Sequence, residues 1–584
     1  MKKFGLQRID ALIFFLSVGL LIYFRYWINP VLYFVAQEPV FFFDKYFFRE
    51  FLRFPGGLLE YVSALLAQFF YTPWPGALLL SLFFTLIFIL LRQVVKRITL
   101  FDPSALALVP LLFLAIAHND YTHPLVVDLV LLTALSCTFI YMSLRRGMRI
   151  LFLLVGGPLL YFAAGAAFLL FGLYALVYEI LQKRDWLLSI LILLTAVLPC
   201  ASGLWLFPVR LQDAFWQPAF PDHHSAIRIL AYLAAAILAV LLFFAAKRTG
   251  RLFAQARPLW RIIPAAILLL LFFILPALRL DKMEKSYWQI TYHARTQEWQ
   301  KLLVRCEKPY PNAPQITSLI NRALCHTGQM GDRLFSYPQD FGLEGLFPSD
   351  DATISTPLIR SDIYFDLRHF NEAKHWAHEA VSVTGETAWN MQRLALIYLI
   401  DEQPEAAQLY ITKLKKSIPL RQWARRHEQY VENIAAVKDD PEIGPLLRSR
   451  VSESFLSFVN NPLADLPRLL HADPKNKAAY DYWMAALLLT KRLARFVQLA
   501  DLSRAKPLPR HFQEAVLIYM SQVHDHGLTF DEKIFSPETL QRYRTFQSSL
   551  QASRDDRSAA QRELAGHFAD TYWYYLIFHK GPGA

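Results

Sequence analysis

The first 282 residues alternate long apolar runs with short polar breaks, the runs lying at 9–26, 76–91, 103–117, 124–143, 150–182, 186–207, 226–246 and 262–280. Inside a bilayer a helix satisfies its own backbone hydrogen bonds, so runs of this length and apolarity predict membrane-crossing helices. Basic residues gather between them: Lys2, Lys3 and Arg8; Arg92, Lys96 and Arg97; Arg145, Arg146 and Arg149; Lys183 and Arg184; then Lys247, Arg248, Arg251, Arg257 and Arg261. One topology places every cluster in the cytoplasm. It requires 150–182 to enter and leave on the same side, as two short crossings or a re-entrant pair, with a break at Gly156-Gly157-Pro158. The expectation is then about nine spans, with the N-terminus inside and everything after residue 282 outside. The opening MKKFGLQRIDALIFFLSVGLLIYF has the charge of a signal peptide but no small-residue cleavage site after its apolar run, and reads as a retained first span.

Between the first two runs lies a patterned segment, 37–76. At helical spacing, Leu58, Tyr61, Val62, Leu65, Leu66, Phe69 and Phe70 form a broad apolar face, and Glu60, Ser63, Ala64, Ala67 and Gln68 form a narrow strip opposite. This predicts a helix lying in the membrane surface, with Glu60 and Gln68 as its polar markers. Just ahead of it, Glu38 and Asp44 sit among Phe41, Phe42, Phe43, Tyr46, Phe47, Phe48 and Phe51, a ring-rich composition suited to headgroup depth.

From 283 to 584 the pattern becomes mixed and helical. IYFDLRHFNEAKHWAHEAV (363–381) aligns with LIYLIDEQPEAAQLYITKL (396–414) at an offset of 33 residues, matching Ala373 to Ala406 and Trp376 to Leu409. A period near 34, with a small residue where two helices approach, predicts tetratricopeptide-like hairpins, and weaker ones are expected at 287–303, 317–335 and 478–502. The expected fold is therefore all-α: a polytopic transmembrane domain (1–282) followed by a tetratricopeptide-like α-solenoid (283–584). The rings and histidines of 364–378 read as hairpin core and hairpin surface rather than as a ligand site.

Composition agrees with this division. The chain of 584 residues is 55% hydrophobic, 15% aromatic and only 18% charged, which is membrane-protein usage. The net charge of +12 resides largely in the clusters between spans, and no zinc-finger spacing, P-loop or RNA-binding signature accompanies it, so nucleic acid is excluded as a partner. Cys137 and Cys200 fall in apolar runs, whereas Cys306 and Cys325 fall in the helical half, where a disulfide is one option in an oxidising compartment.

Three polar groups share the expected outer side. Asp44, with Glu38, reads either as a general base or metal ligand whose proton affinity is raised beside aromatic surface, or as an interfacial anchor paired with Lys45 or Arg49. The turn HNDYTHP carries His118, Asp120 and His123, a set that suits a divalent ion, Mg or Mn, or a phosphate, although polar residues also terminate helices at interfaces. The loop 208–225 offers Arg210, His223 and His224, and reads either as a solvated loop or, since an arginine at the membrane surface is a natural partner for a pyrophosphate, as a phosphate contact. Within the spans, Arg25, Asp128 and Glu179 stand out as ionisable residues in apolar surroundings.

The combination of PGGLLEYVSALLAQFFY, the HNDY turn and a helical C-terminal region resembles an uncharacterised family of polytopic membrane proteins from Bacteroidota. The layout also looks like the GT-C class of membrane glycosyltransferases. That resemblance implies a bacterial inner-membrane enzyme with a periplasmic C-terminal domain, moving a sugar or oligosaccharide from a polyprenyl-phosphate-linked donor to a periplasmic acceptor such as a protein hydroxyl. Asp44 or Glu38 would take the first-loop acidic role, with His118, Asp120 and Arg210 contacting metal or phosphate. The competing expectation is a membrane-anchored scaffold for envelope assembly or secretion, whose repeat domain recruits a protein partner.

Overall fold

The computed structural model describes residues 2–99, 104–207, 209–218, 258–349, 355–450, 462–500, 507–522, 532–552 and 556–579. Every regular element among the described residues is helical. The chain divides into two compact units, Met1–Lys285 with Lys416–Arg421, and Ser286–Lys415 with Gln422–Ala584.

Among the described residues of the first unit, four helices are long and apolar enough to cross a membrane: Asp10–Ile28, Pro73–Ile98, Val126–Ser143 and Arg146–Ala164. Ala107–Ala117, Trp186–Thr195 and Ile267–Arg279 are apolar but shorter. The run at 226–246, with His223 and His224, lies outside the described residues. In chain order the elements are α1 (Lys2–Ile22), extended by a π-helical turn over Tyr23–Ile28, α2 (Val31–Gln37), α3 (Lys45–Glu50), α4 (Gly57–Ala67), α5 (Pro73–Thr99), α6 (Ser104–Ala117), α7 (Val126–Ser143), α8 (Arg146–Leu151), α9 (Gly157–Ala164), α10 (Ala167–Tyr178), α11 (Trp186–Thr195), α12 (Leu198–Trp205) and α13 (Leu211–Trp216). Helix α7 packs on both α5 and α10, and α5 also packs on α1.

The ends of these helices sort into two groups. At one end, Arg97 donates to the Phe139 carbonyl and to Ser143 Oγ, Gln182 donates to the Ile98 carbonyl, and Arg146 pairs with Asp185 at 2.6 Å. Here too Arg149 meets the fully buried Glu179 at 2.5 Å, and Tyr141 donates to the same carboxylate. The other end gathers the long connections. The Gly56 amide donates to the Phe162 carbonyl, the Ala166 amide to the Gln217 carbonyl, and Gln37 to the carbonyls of Tyr121 and His123. Basic residues therefore meet basic clusters, and the loops meet one another.

The run 150–182 is an antiparallel hairpin, but it turns at Gly165 and Ala166 rather than at Gly156-Gly157-Pro158. Pro158 lies inside the continuous helix Arg146–Ala164, directly after the π-helical stretch Phe152–Gly156, and does not end it. Gly165 supplies the reversal because its φ is +50°, and a side chain there would collide with the Gln217 carbonyl. Gly56, at φ +83°, faces the same junction, with Pro218 and the Gly165 amide within contact of any added Cβ.

The predicted surface helix is α4, closed by a 3-10 turn over Gln68–Tyr71. Its orientation is instructive. Ser63, Ala67 and Gln68 of the narrow strip are buried, whereas on the apolar face Val62 and Phe69 are exposed, Phe70 is buried and Tyr61 packs against Phe41, Phe47, Phe48 and Phe51. Small residues let α4 approach α7 and α9 closely.

The second unit is assembled from helical hairpins. Among the described residues five share one turn, in which a left-handed residue (Gln297, Gly328, Arg368, Glu402 or Lys491) ends the first helix. The next amide bonds the carbonyl five residues back, as in His369 to Tyr364 and Gln403 to Tyr398, both at 2.9 Å. This is the Schellman geometry, and it satisfies carbonyls the helix end would leave open. The following carbonyl then caps the next helix, as in Ala373 to His369 and Ala407 to Gln403. The pair Thr356–Asp366/Phe370–Thr384 and the pair Ala388–Ile400/Pro404–Lys415 are related by 34 residues, not 33. Ala373 therefore corresponds to the fully buried Ala407, and Leu409 is exposed rather than equivalent to the buried Trp376. Buried Arg322 bonds Asp366 at 2.8 Å and Asp362 at 3.2 Å, and Arg393 bonds Asp362 at 2.6 Å, fixing how successive hairpins register. Arg322 and His326 hold the Asp366 carboxyl well below the usual carboxylate range. Cys306 and Cys325 are separate free thiols, and burial pushes the Cys306 thiol up to about 12.

Candidate functional site

The 118–124 turn between α6 and α7 is the most densely bonded polar centre of the first unit. His118 is fully buried between the rings of Phe24 and Phe84. Its Nε2 faces both carboxylate oxygens of Asp128, at 3.1 and 3.0 Å, and its Nδ1 lies 3.1 Å from the Tyr33 hydroxyl. Tyr33, on α2, also donates to the His118 carbonyl. The His123 ring stacks obliquely on that of His118, with centroids 4.5 Å apart. His118, His123 and Asp128 are all buried, and one ligand atom from each lies within 4.8 Å of the others.

Surrounding bonds hold this centre in place. Tyr23, from the π-helical turn, donates to Asn119 Oδ1, and Asn119 Nδ2 donates to the Pro276 carbonyl at 2.7 Å. Tyr121 donates to the Ile28 carbonyl, and its own amide reaches Glu284. Gln37 clamps the turn through the Tyr121 and His123 carbonyls at 2.9 and 2.8 Å. The network thus ties α1, α2, α6, α7 and the helix Pro258–Arg279 into one end of the bundle.

Two of the three sequence-predicted metal residues are in this cluster, and the third is not. Asp120 turns away, its Oδ1 accepting from the Thr122 amide and hydroxyl, which is the local turn chemistry of an Asx motif. Asp128 takes its place. The signal was present as an acid in an apolar span ten residues after His118, but a turn had to bring the two together.

The other candidates lie elsewhere. Asp44 is the N-cap of α3: one oxygen accepts from the amides of Tyr46 and Phe47, and the other pairs with Lys416. Lys416 and these amides hold its carboxyl below the ordinary range. The raised proton affinity expected beside aromatic surface is thus reversed, and the partner is Lys416 rather than Lys45 or Arg49. Glu38 is the left-handed residue closing α2, at φ +44°. Gln68 ties α4 to the Pro39 carbonyl. Arg210 is exposed at the start of α13, a helix held by Tyr161 through the Ala214 carbonyl. Among the described residues it shares no hydrogen bond or ion pair with Asp44 or the 118–124 turn. Glu60, in the first turn of α4, is half-buried, and desolvation raises its carboxyl to about 7.

A family model, "Family of unknown function (DUF6057)", matches residues 5–579. The chain belongs to this family. No curated protein and no solved structure matches it. The match spans both units, so the membrane helices and the hairpin unit are parts of one family pattern.

Proposed function

We propose that this protein is a membrane-anchored scaffold of the bacterial envelope. In this reading about nine crossings hold the N-terminal unit in the inner membrane, and a periplasmic, tetratricopeptide-like hairpin unit recruits a protein partner. The observation that carries it is the recurrence of one hairpin turn five times in the second unit, since stacked hairpins present extended helical surfaces for partner recognition. Exposed apolar side chains on those helices, such as Val383 and Leu409, suit such a surface. The topology is supported by the meeting of basic clusters at one end of the membrane unit and of long loops at the other.

The test uses the full chain in a deletion strain, with expression and membrane insertion matched. Leu409→Asp is expected to abolish complementation and Asp44→Asn to preserve it. The opposite pattern, with altered surface glycans in Asp44→Asn, would replace this reading with a glycosyltransferase using a polyprenyl-phosphate-linked donor. That second reading has one observation in its favour, the buried His118–His123–Asp128 centre. Against it stands Asp44, both of whose oxygens are engaged in capping and ion pairing.

A further inference from the structure

We propose that His118, His123 and Asp128 bind one divalent transition-metal ion of the zinc type. The three side chains converge from the 118–124 turn and the first turn of α7, all buried, with one ligand atom from each within 4.8 Å of the others. His118 Nε2 faces the two Asp128 carboxylate oxygens at 3.1 and 3.0 Å, and the Tyr33 hydroxyl lies 3.1 Å from Nδ1.

Asp128 and the two imidazoles bring one carboxylate and two ring-nitrogen donors together in a buried site, and a metal ion uses all three. A hydrogen-bond partner on the second ring nitrogen orients a metal-bound imidazole, and the Tyr33 hydroxyl stands 3.1 Å from His118 Nδ1. Two imidazoles and one carboxylate suit zinc, cobalt or iron, whereas magnesium takes oxygen donors. In this proposal zinc stands where Mg or Mn was expected, and Asp128 stands in place of Asp120. Three protein donors leave one coordination position for water.

The full chain, purified in detergent without chelators, is expected to hold about one zinc per molecule by elemental analysis. After chelation, Co2+ is expected to restore one equivalent with visible d–d absorption, undiminished by excess Mg2+. His123→Ala and Asp128→Asn should lose that absorption, Tyr33→Phe should weaken Co2+ binding about 10-fold, and Asp120→Asn should bind as wild type. If a ligand variant fails to fold, the wild-type titration still decides. Wild-type protein that takes up no Co2+, or loss of binding in Asp120→Asn with retention in Asp128→Asn, would overturn the proposal.

Discussion

Glu60 gives the sharpest test of how the first unit handles charge. It sits in the first turn of α4, outside the candidate spans, and no basic side chain pairs with it among the described residues. Desolvation raises its carboxyl from 4.5 to about 7. A raised folded-state value means that the fold favours the protonated acid. The stabilisation is complete below the unfolded value near 4.5 and is lost as pH rises through about 7. The shift corresponds to about 3 kcal/mol at most, and screening at a half-buried site together with the favourable helix N-terminus reduces it to about 2 kcal/mol. Glu60→Gln keeps the shape and removes the charge. It should therefore stabilise the protein by about 2 kcal/mol at pH 8 and leave it unchanged at pH 4.5, flattening the pH profile. Thermal unfolding of wild type and variant in lipid nanodiscs across this range measures the difference. A variant that melts lower than wild type at pH 8 would show that ionised Glu60 has a stabilising partner, and the desolvation argument would fail.

Two further outcomes are expected. Arg149→Met leaves Glu179 buried and unpaired and should cost about 3–5 kcal/mol, with Arg149→Met/Glu179→Gln recovering much of it; folded yield and melting temperature of the three proteins check this. His369, buried beside Tyr364, has its imidazole pushed down to about 4 by desolvation, so stability is full above about 6.5 and falls as pH drops toward 4. His369→Phe should remove about 3 kcal/mol of that acid sensitivity, read from melting temperatures at pH 7 and 4.5, and an unchanged acid slope would refute the assignment.

Membrane-length apolar helices and a hairpin period near 34 were legible because each rests on local chemistry, bilayer length and helical period, whereas the alignment at an offset of 33 missed the hairpin register by one residue. The pairing of His118 with His123 was also legible, since only the four residues 119–122 of one turn separate them. Asp44 was misread in its electrostatics because its partner, Lys416, lies 372 positions away. The face of α4 was ambiguous for a related reason. Hydrophobicity alone marks the apolar side as the packed side, whereas here the small residues Ser63 and Ala67 are buried and Val62 and Phe69 of the apolar side are exposed.

The sequence by itself determined that this is a helical protein with long apolar runs followed by hairpins, because hydrophobic period and turn chemistry act over a few residues. Only the tertiary structure decided where the hairpin 146–183 turns, that segment 416–421 belongs with the membrane unit, and that Asp128 rather than Asp120 faces His118. Those are choices between equivalent side chains at different sequence separations, and only packing distinguishes them.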